Sequence, residues 1–180
     1  SLRSYKNKKI IIADDGGVAS GKTTILKNIQ NDQCTISLDS SGASLHHRGY
    51  RTATNIAPLN EVLAAGLIQL SGWQAQTDFL DPMCGSGTFL IEAAMLAGNI
   101  PANINRKSFA FEKWKDWDPQ LFDLIRESQL KKVINPKIQI KGSDKAPSAI
   151  EKALQNVENA NLSEFIQIDN VVKYVAKGNS

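Results

Sequence analysis

Asp81-Pro82-Met83-Cys84-Gly85-Ser86-Gly87-Thr88 decides how the rest of this chain is read. A short apolar run, Phe79-Leu80, precedes it, and an apolar helical pattern over residues 89–97 follows. The order is strand, glycine-rich turn, helix. Gly85 and Gly87 allow positive φ and let a ligand approach the backbone with no Cβ in the way. The helix behind them aims unpaired N–H groups and its positive dipole end over the loop. Asp81, at the strand end, is placed to accept hydrogen bonds. A nucleotide-like cofactor suits such a crevice at the carboxyl ends of strands. Two glycines also fit an ordinary βα turn that binds nothing, so the flanking sequence has to choose.

The chain has 180 residues, 42% of them apolar, which is enough for one ordinary core with an appendage. Net charge is +3, and it is uneven. Residues 1–33 carry six Lys/Arg against three acids, and residues 101–141 carry nine against five. Either block could meet a polyanion, though a solvated face explains modest excesses as well. Cys34 and Cys84 show no metal-ligand spacing and no disulfide framework. No stretch nears 18 apolar residues, so a soluble cytoplasmic protein with no membrane partner is expected.

Near the N-terminus, Ile10-Ile11-Ile12 reads as a buried strand. Gly16-Gly17-Val18-Ala19-Ser20-Gly21-Lys22-Thr23 then satisfies G-x-x-x-x-G-K-[ST], and residues 24–29 look helical. In such a P-loop, Gly16 and Gly21 open the backbone to phosphates, Lys22 reaches the terminal phosphates and Thr23 ligates magnesium. This string resembles the P-loop of the uridine kinase family, which implies ATP with magnesium as an alternative ligand. Asp14 and Asp15 beside it would oppose a triphosphate, and only Asp39 and Asp169 stand as candidate strand-end magnesium acids.

Residues 35–38 alternate weakly, as in a strand. Leu45-His46-His47-Arg48-Gly49-Tyr50-Arg51 is a basic cluster with a tyrosine, able to grip phosphates and stack a base, although the residues alone favour a solvated loop. A helix is expected from Pro58 to Gly72, with Leu59, Val62, Leu63, Leu67 and Leu70 facing the core and Trp73 against them. The helix after the glycine loop stops at Gly98, before Pro101.

Several of these stretches together resemble the THUMP-associated 23S rRNA guanine methyltransferases. They are the loop at 81–88, the cluster at 45–51, Ala57-Pro58-Leu59-Asn60-Glu61-Val62-Leu63-Ala64-Ala65, Phe109-Ala110-Phe111-Glu112-Lys113-Trp114, and Gly142-Ser143-Asp144 with the helix after it. The likeness runs over residues 34–168 in the family's order. It implies an α/β, Rossmann-like fold that binds S-adenosylmethionine and methylates a guanine exocyclic amine in ribosomal RNA. Asp81, Pro82, Cys84, Gly85, Gly87 and Thr88 would then shape the cofactor pocket. Asp144, ending a strand over 137–142, would accept from the ribose hydroxyls, and Asp169 would reach the adenine. His47, Arg48, Tyr50, Arg51, Lys113 and Trp114 would meet RNA, and no metal is implied.

Residues 102–136 read as an insertion rich in basic and aromatic side chains, Arg106, Lys107, Phe109, Phe111, Lys113, Trp114, Lys115 and Trp117. These suit single-stranded RNA, or they pack a helical subdomain onto the main body. Asp118-Pro119 opens a helix with Leu121, Phe122, Leu124 and Ile125. Pro147 starts another, with Ile150, Ala153, Leu154 and Val157 inward, and residues 165–168 form a third strand. The family's Asn/Asp-Pro-Pro-Tyr/Phe motif, which holds the target base, is absent from the sequence, so catalytic residues are unknown.

The expected organisation is a P-loop-like β-loop-α segment at 1–33 and a linker with the basic loop at 34–57. A truncated cofactor-binding domain follows at 58–180, built from the first three strands of the sheet with their helices. A partial sheet exposes an edge that invites self-association. The leading function is the S-adenosylmethionine-binding part of an rRNA methyltransferase, not catalytically complete alone. The alternatives are a P-loop ATP/GTP-binding kinase-like protein and a non-catalytic RNA-binding module.

Overall fold

Apolar runs bounded by turn residues build a parallel three-stranded sheet, and helices cover one of its faces. This computed structural model describes residues 25–30, 33–52 and 59–170. The strands are β3 (Phe79–Asp81), β4 (Ile140–Asp144) and β5 (Ile166–Asn170), side by side in that order. Phe79 lies opposite Ile140 and Ile140 opposite Ile166. Asp81, Gly142 and Ile168 form the next row on the same face. α2 (Thr88–Ala97) crosses from β3 to β4, and α4 (Pro147–Asn159) crosses from β4 to β5. Parallel neighbours need crossovers of this kind. Three strands with their helices, in a parallel α/β arrangement, match the expectation for the middle of the chain.

α2 is the hub. It packs against all three strands and against α1 (Glu61–Leu70). Eight of its ten residues are buried, so an apolar helix without a clear stripe is what the position requires. Leu90 and Ile91 from α2, Ile140 from β4, Ala153 and Val157 from α4, and Leu162 centre the core. A Cβ at Gly142 would overlap Leu90 Cδ1, so the sheet and α2 meet only because this strand position is glycine. The opposite sheet face carries Leu80, Lys141 and Gln167, with Leu80 60% exposed.

A buried charge sits inside α2. Glu92, 2% exposed, receives Arg48 Nε at 3.3 Å and Nη2 at 3.1 Å on its two oxygens. Tyr50 Oη donates to the same carboxylate at 3.2 Å. Burial pushes the Glu92 carboxyl above its usual range and Arg48 pulls it part of the way back. Burial and the Glu92 charge together keep the Tyr50 hydroxyl protonated.

Several sequence expectations are corrected. Residues 24–29 do not supply the helix of a β-loop-α unit: Ile25–Gln30 is strand β1, paired antiparallel with β2 (Gln33–Leu38). Gln30 pairs with Gln33 at the end of this ladder. The strand expected at 35–38 is part of β2.

α1 starts at Glu61, capped by Asn60, whose Oδ1 accepts from Leu63 N at 3.1 Å; Pro58 lies outside the described residues. Its buried face is Glu61, Ala64 and Ile68, while Val62, Leu63, Leu67 and Leu70 are exposed. Apolar residues surround this helix, so periodicity cannot choose a face. The small Ala64 and the Glu61–Arg51 ion pair at 3.1 Å choose it. In α4 the buried set is Ala149, Ala153, Asn156 and Val157, and Leu154 is 49% exposed.

The chain divides into two compact units, one of residues up to 44 with 107–119, the other of 45–106 with 120 onward. In the first, Ala110 N and Phe111 N donate to the carbonyls of Ser41 and Ser40. Phe109 stacks on Phe111 at 5.0 Å, and Phe111 meets Trp117 at 5.3 Å. These insertion aromatics therefore pack on one another. α3 (Pro119–Leu130) buries none of its residues. Among the described residues no helix is long and apolar enough to cross a membrane.

Two substitutions test this packing. Gly142→Ala should cost about 1–3 kcal/mol by forcing Leu90 out of place. Glu92→Gln keeps the shape but strands the buried Arg48 charge, at a cost of about 3–5 kcal/mol. Urea unfolding followed by circular dichroism reads both.

Candidate functional site

The loop at 81–88 leaves the carboxyl end of β3 and enters α2. Gly85 (φ 55) and Gly87 (φ 82) take the left-handed conformations that glycine tolerates. Gly87 is the N-cap of α2, and a Cβ there would press on Ala153 Cβ at 3.3 Å. The loop is tied from several sides. Cys84 N donates to Ser143 O at 2.9 Å, and Gly85 N to Asp144 Oδ2 at 2.9 Å. Ser143 Oγ reaches the Pro82 carbonyl at 3.4 Å. Met83 N donates to Asp81 Oδ1 at 3.1 Å, and Thr88 Oγ1 accepts from Arg51 Nη2 at 2.8 Å.

The expected acids do end adjacent strands: Asp81 on β3, Asp144 on β4, and Asp169 one residue before the end of β5. Burial raises the Asp81 carboxyl, the Met83 N–H offsets this, and the nearby Asp144 charge raises it further. Burial and the same two carboxylates push the Cys84 thiol up to about 12. Asp81, Cys84 and Asp144 therefore share one electronegative neighbourhood. Asp144 spends one oxygen on Gly85 N and the other on Ala146 N at 2.9 Å, so it fastens the loop and caps the turn into α4. Each carboxylate oxygen has a second lone pair for a ligand. Asp169 Oδ2 accepts from Gln167 Nε2 at 2.9 Å.

This donor set fits S-adenosylmethionine. Glycines open the loop, a helix N-terminus follows, and carboxylates stand where an ammonium or ribose hydroxyls need acceptors. No basic side chain lies within residues 81–88, which suits a cationic ligand better than a triphosphate.

The structure separates the expected RNA-binding residues. Arg48 (8% exposed) and Tyr50 (1% exposed) are interior and bound to Glu92, so neither presents a guanidinium or a ring to RNA. Burial in an ion-paired network replaces the clamp expected for them. Arg51 is held by Glu61, the Leu59 carbonyl and Thr88. His47 is exposed and lies 4.0 Å from the His46 ring. Lys113 is exposed and Trp114 half-buried.

Asp39 accepts from Ser41 N, Ser41 Oγ and Gly42 N, the pattern of a turn-forming aspartate. Gly16, Gly21, Lys22 and Thr23 lie outside the described residues. A cavity of about 290 Å³ lined by Gln69, Trp73, Gln74, Ala75 and Leu96 shares no residue with the loop.

Sequence reading missed Glu92, Glu61 and Asn156. An acid inside the apolar run at 89–97 was a legible sign of a buried partner, because burying an unpaired carboxylate is costly. Asn156 was legible only as a polar residue sharing the helical stripe of Ala149 and Ala153.

Comparison with known proteins agrees with this geometry. The RMKL-like methyltransferase domain matches residues 48–175, a span that begins after the P-loop string. The ribosomal RNA large subunit methyltransferase K/L of Shewanella frigidimarina is 45% identical over 143 residues, covering 77% of this chain and 20% of that protein. The protein of the same name from Psychromonas ingrahamii is 46% identical over 140 residues, covering 76% and 19%. The chain thus spans about a fifth of the length of these relatives. Among solved structures, SMU.472, assigned as a methyltransferase and complexed with SAH, superposes with a TM-score of 0.75. It is 35% identical, and the match covers 84% of this chain and 40% of that one. The matched span includes the glycine loop, the strand-end acids and the helices between them, and the chain belongs to the RMKL-like methyltransferase domain family.

Proposed function

We propose that this chain is the S-adenosylmethionine-binding part of an rRNA methyltransferase that acts on a guanine exocyclic amine. The observation that carries the reading is Asp144 tied to Gly85 N, which places a carboxylate against the glycine loop between two parallel strands. The printed names of the relatives support ribosomal RNA as the substrate, and the SAH complex of a similar structure supports the cofactor.

The bound cofactor would supply an electrophilic methyl on its sulfonium, so the protein's work is orientation and proximity. Asp81, Pro82, Cys84, Gly85, Gly87 and Thr88 form the loop side of the pocket. Asp144 and Asp169, at the next two strand ends, would take the ribose and the adenine. The exposed His47 and Lys113 are the candidates for RNA contact. The sequence holds no Asn/Asp-Pro-Pro-Tyr/Phe string to grip a target base, so the chain alone binds cofactor without transferring methyl. Among the described residues β3 is an edge strand, and self-association would begin there.

Titration calorimetry with SAM, SAH and magnesium-ATP on one folded sample tests this reading. Heat is expected with the first two and none with ATP. Asp81→Ala should weaken SAH binding at least about tenfold, the loss of one charge-assisted contact. Flat traces with SAM and SAH would remove the proposal, and heat with ATP would revive the P-loop alternative.

A further inference from the structure

Asn156 is an amide at the centre of an apolar helix face. It is 1% exposed and sits on α4 between Ala153 and Val157, which are equally buried. A buried amide is tolerated when its groups are paired, and here the pairing is specific. Its Nδ2 donates to the Ser86 carbonyl at 3.0 Å. Its Oδ1 accepts from Thr52 N at 3.2 Å. These two partners fix which end of the amide is which. Ser86 stands between the two glycines whose left-handed conformations define the loop.

The loop is therefore held at three points by three separate parts of the chain. Gly85 N is bound by Asp144 of β4, Ser86 O by Asn156 of α4, and Thr88 Oγ1 by Arg51. Asn156 holds the middle point, where glycine neighbours give the backbone the most freedom to drift. Thr52 N, taken by the same side chain, ties the segment after Arg51 to the same place.

We propose that Asn156 is a positioning residue that holds the Ser86 peptide, and with it the glycine loop, in its cofactor-binding conformation. It sets affinity for the cofactor without touching it. This rests on the reading of loop 81–88 as an S-adenosylmethionine site.

Asn156→Asp is the informative variant. Its carboxylate would still accept from Thr52 N, but it would turn an acceptor toward the Ser86 carbonyl. Burial beside an acceptor raises that carboxyl's pKa, and the protonated form regains a donor for Ser86 O.

Calorimetry with SAH on the full chain should show N156D binding at least about tenfold more weakly than wild type at about pH 8. The ratio to wild type should close as pH falls to about 5.5, where the acid is protonated. Val157→Ala, which loosens the same helix and leaves the Asn156 amide and its bond to Ser86 in place, should lower Tm and leave SAH affinity within about twofold.

The proposal is overturned if N156D binds within about twofold of wild type at pH 8, if its ratio ignores pH, or if V157A weakens binding as much. If N156D does not fold at pH 8, Asn156→Ser replaces it. That side chain is too short to reach Ser86, and it should lose about tenfold at every pH; unchanged affinity refutes the proposal. A wild-type chain silent toward SAH would instead remove the site reading itself, and this inference with it.

Discussion

The N–H of Gly85 reaching the Asp144 carboxylate is the contact on which the rest of the site depends. β3 has only three residues and by itself anchors the loop weakly. The bond to Asp144, together with Cys84 N to Ser143 O, binds the loop to the neighbouring strand instead. A hydrogen bond to an ionised acceptor is roughly twice as strong as a neutral one. It also sets steric conditions elsewhere. The loop sits this close to β4 and α4 only because Gly142 spares Leu90 and Gly87 spares Ala153. The two glycines therefore do different work from the pair's usual description. Gly85 supplies a conformation, whereas Gly87 supplies both a conformation and a gap.

Charge burial explains how the preceding segment docks. Arg48 and Arg51 stand three residues apart, and each finds a carboxylate on a different helix, Glu92 of α2 and Glu61 of α1. Each pair is costly to assemble and more costly to split, because one partner alone would be a stranded charge. Such pairs specify an arrangement more than they stabilise it. Arg51 adds a bond to Thr88 at the first turn of α2, so the docking that brings α1 onto α2 also reaches the edge of the loop.

The parts of the fold legible in the sequence are those where one local signal met no competitor. The glycine loop, α2 ending at Gly98, Pro147 opening α4 and the three parallel strands are of this kind. Where the signal was symmetric, tertiary contacts decided. α1 is apolar nearly all round, and its buried side was fixed by an ion pair that periodicity cannot see. Residues 25–30 mix helix and strand formers, and pairing with β2 took them to strand. The basic cluster at 45–51 looked like an RNA grip because its partners, Glu92 and Glu61, are distant in sequence. Asp144 was legible as a strand-end acid, yet its task of fastening Gly85 was not. That bond links residues 59 positions apart.

On the proposed reading, the acids at the loop also bear on what can enter it. Burial raises the Asp81 carboxyl and the Asp144 charge adds to it, and burial with both carboxylates keeps Cys84 a thiol. Within 81–88 no lysine or arginine offsets the repulsion between the two acids, and the Arg51 guanidinium that reaches Thr88 Oγ1 is itself paired with Glu61. A ligand carrying positive charge relieves it, and one carrying phosphates makes it worse. A glycine loop before a helix attracts anions by its dipole, so the general geometry alone would favour a nucleotide phosphate. Here two strand-end carboxylates, Asp81 and Asp144, set negative charge beside that helix end. Under the proposed function, these acids would tip a common turn toward an amino-acid-bearing, cationic cofactor.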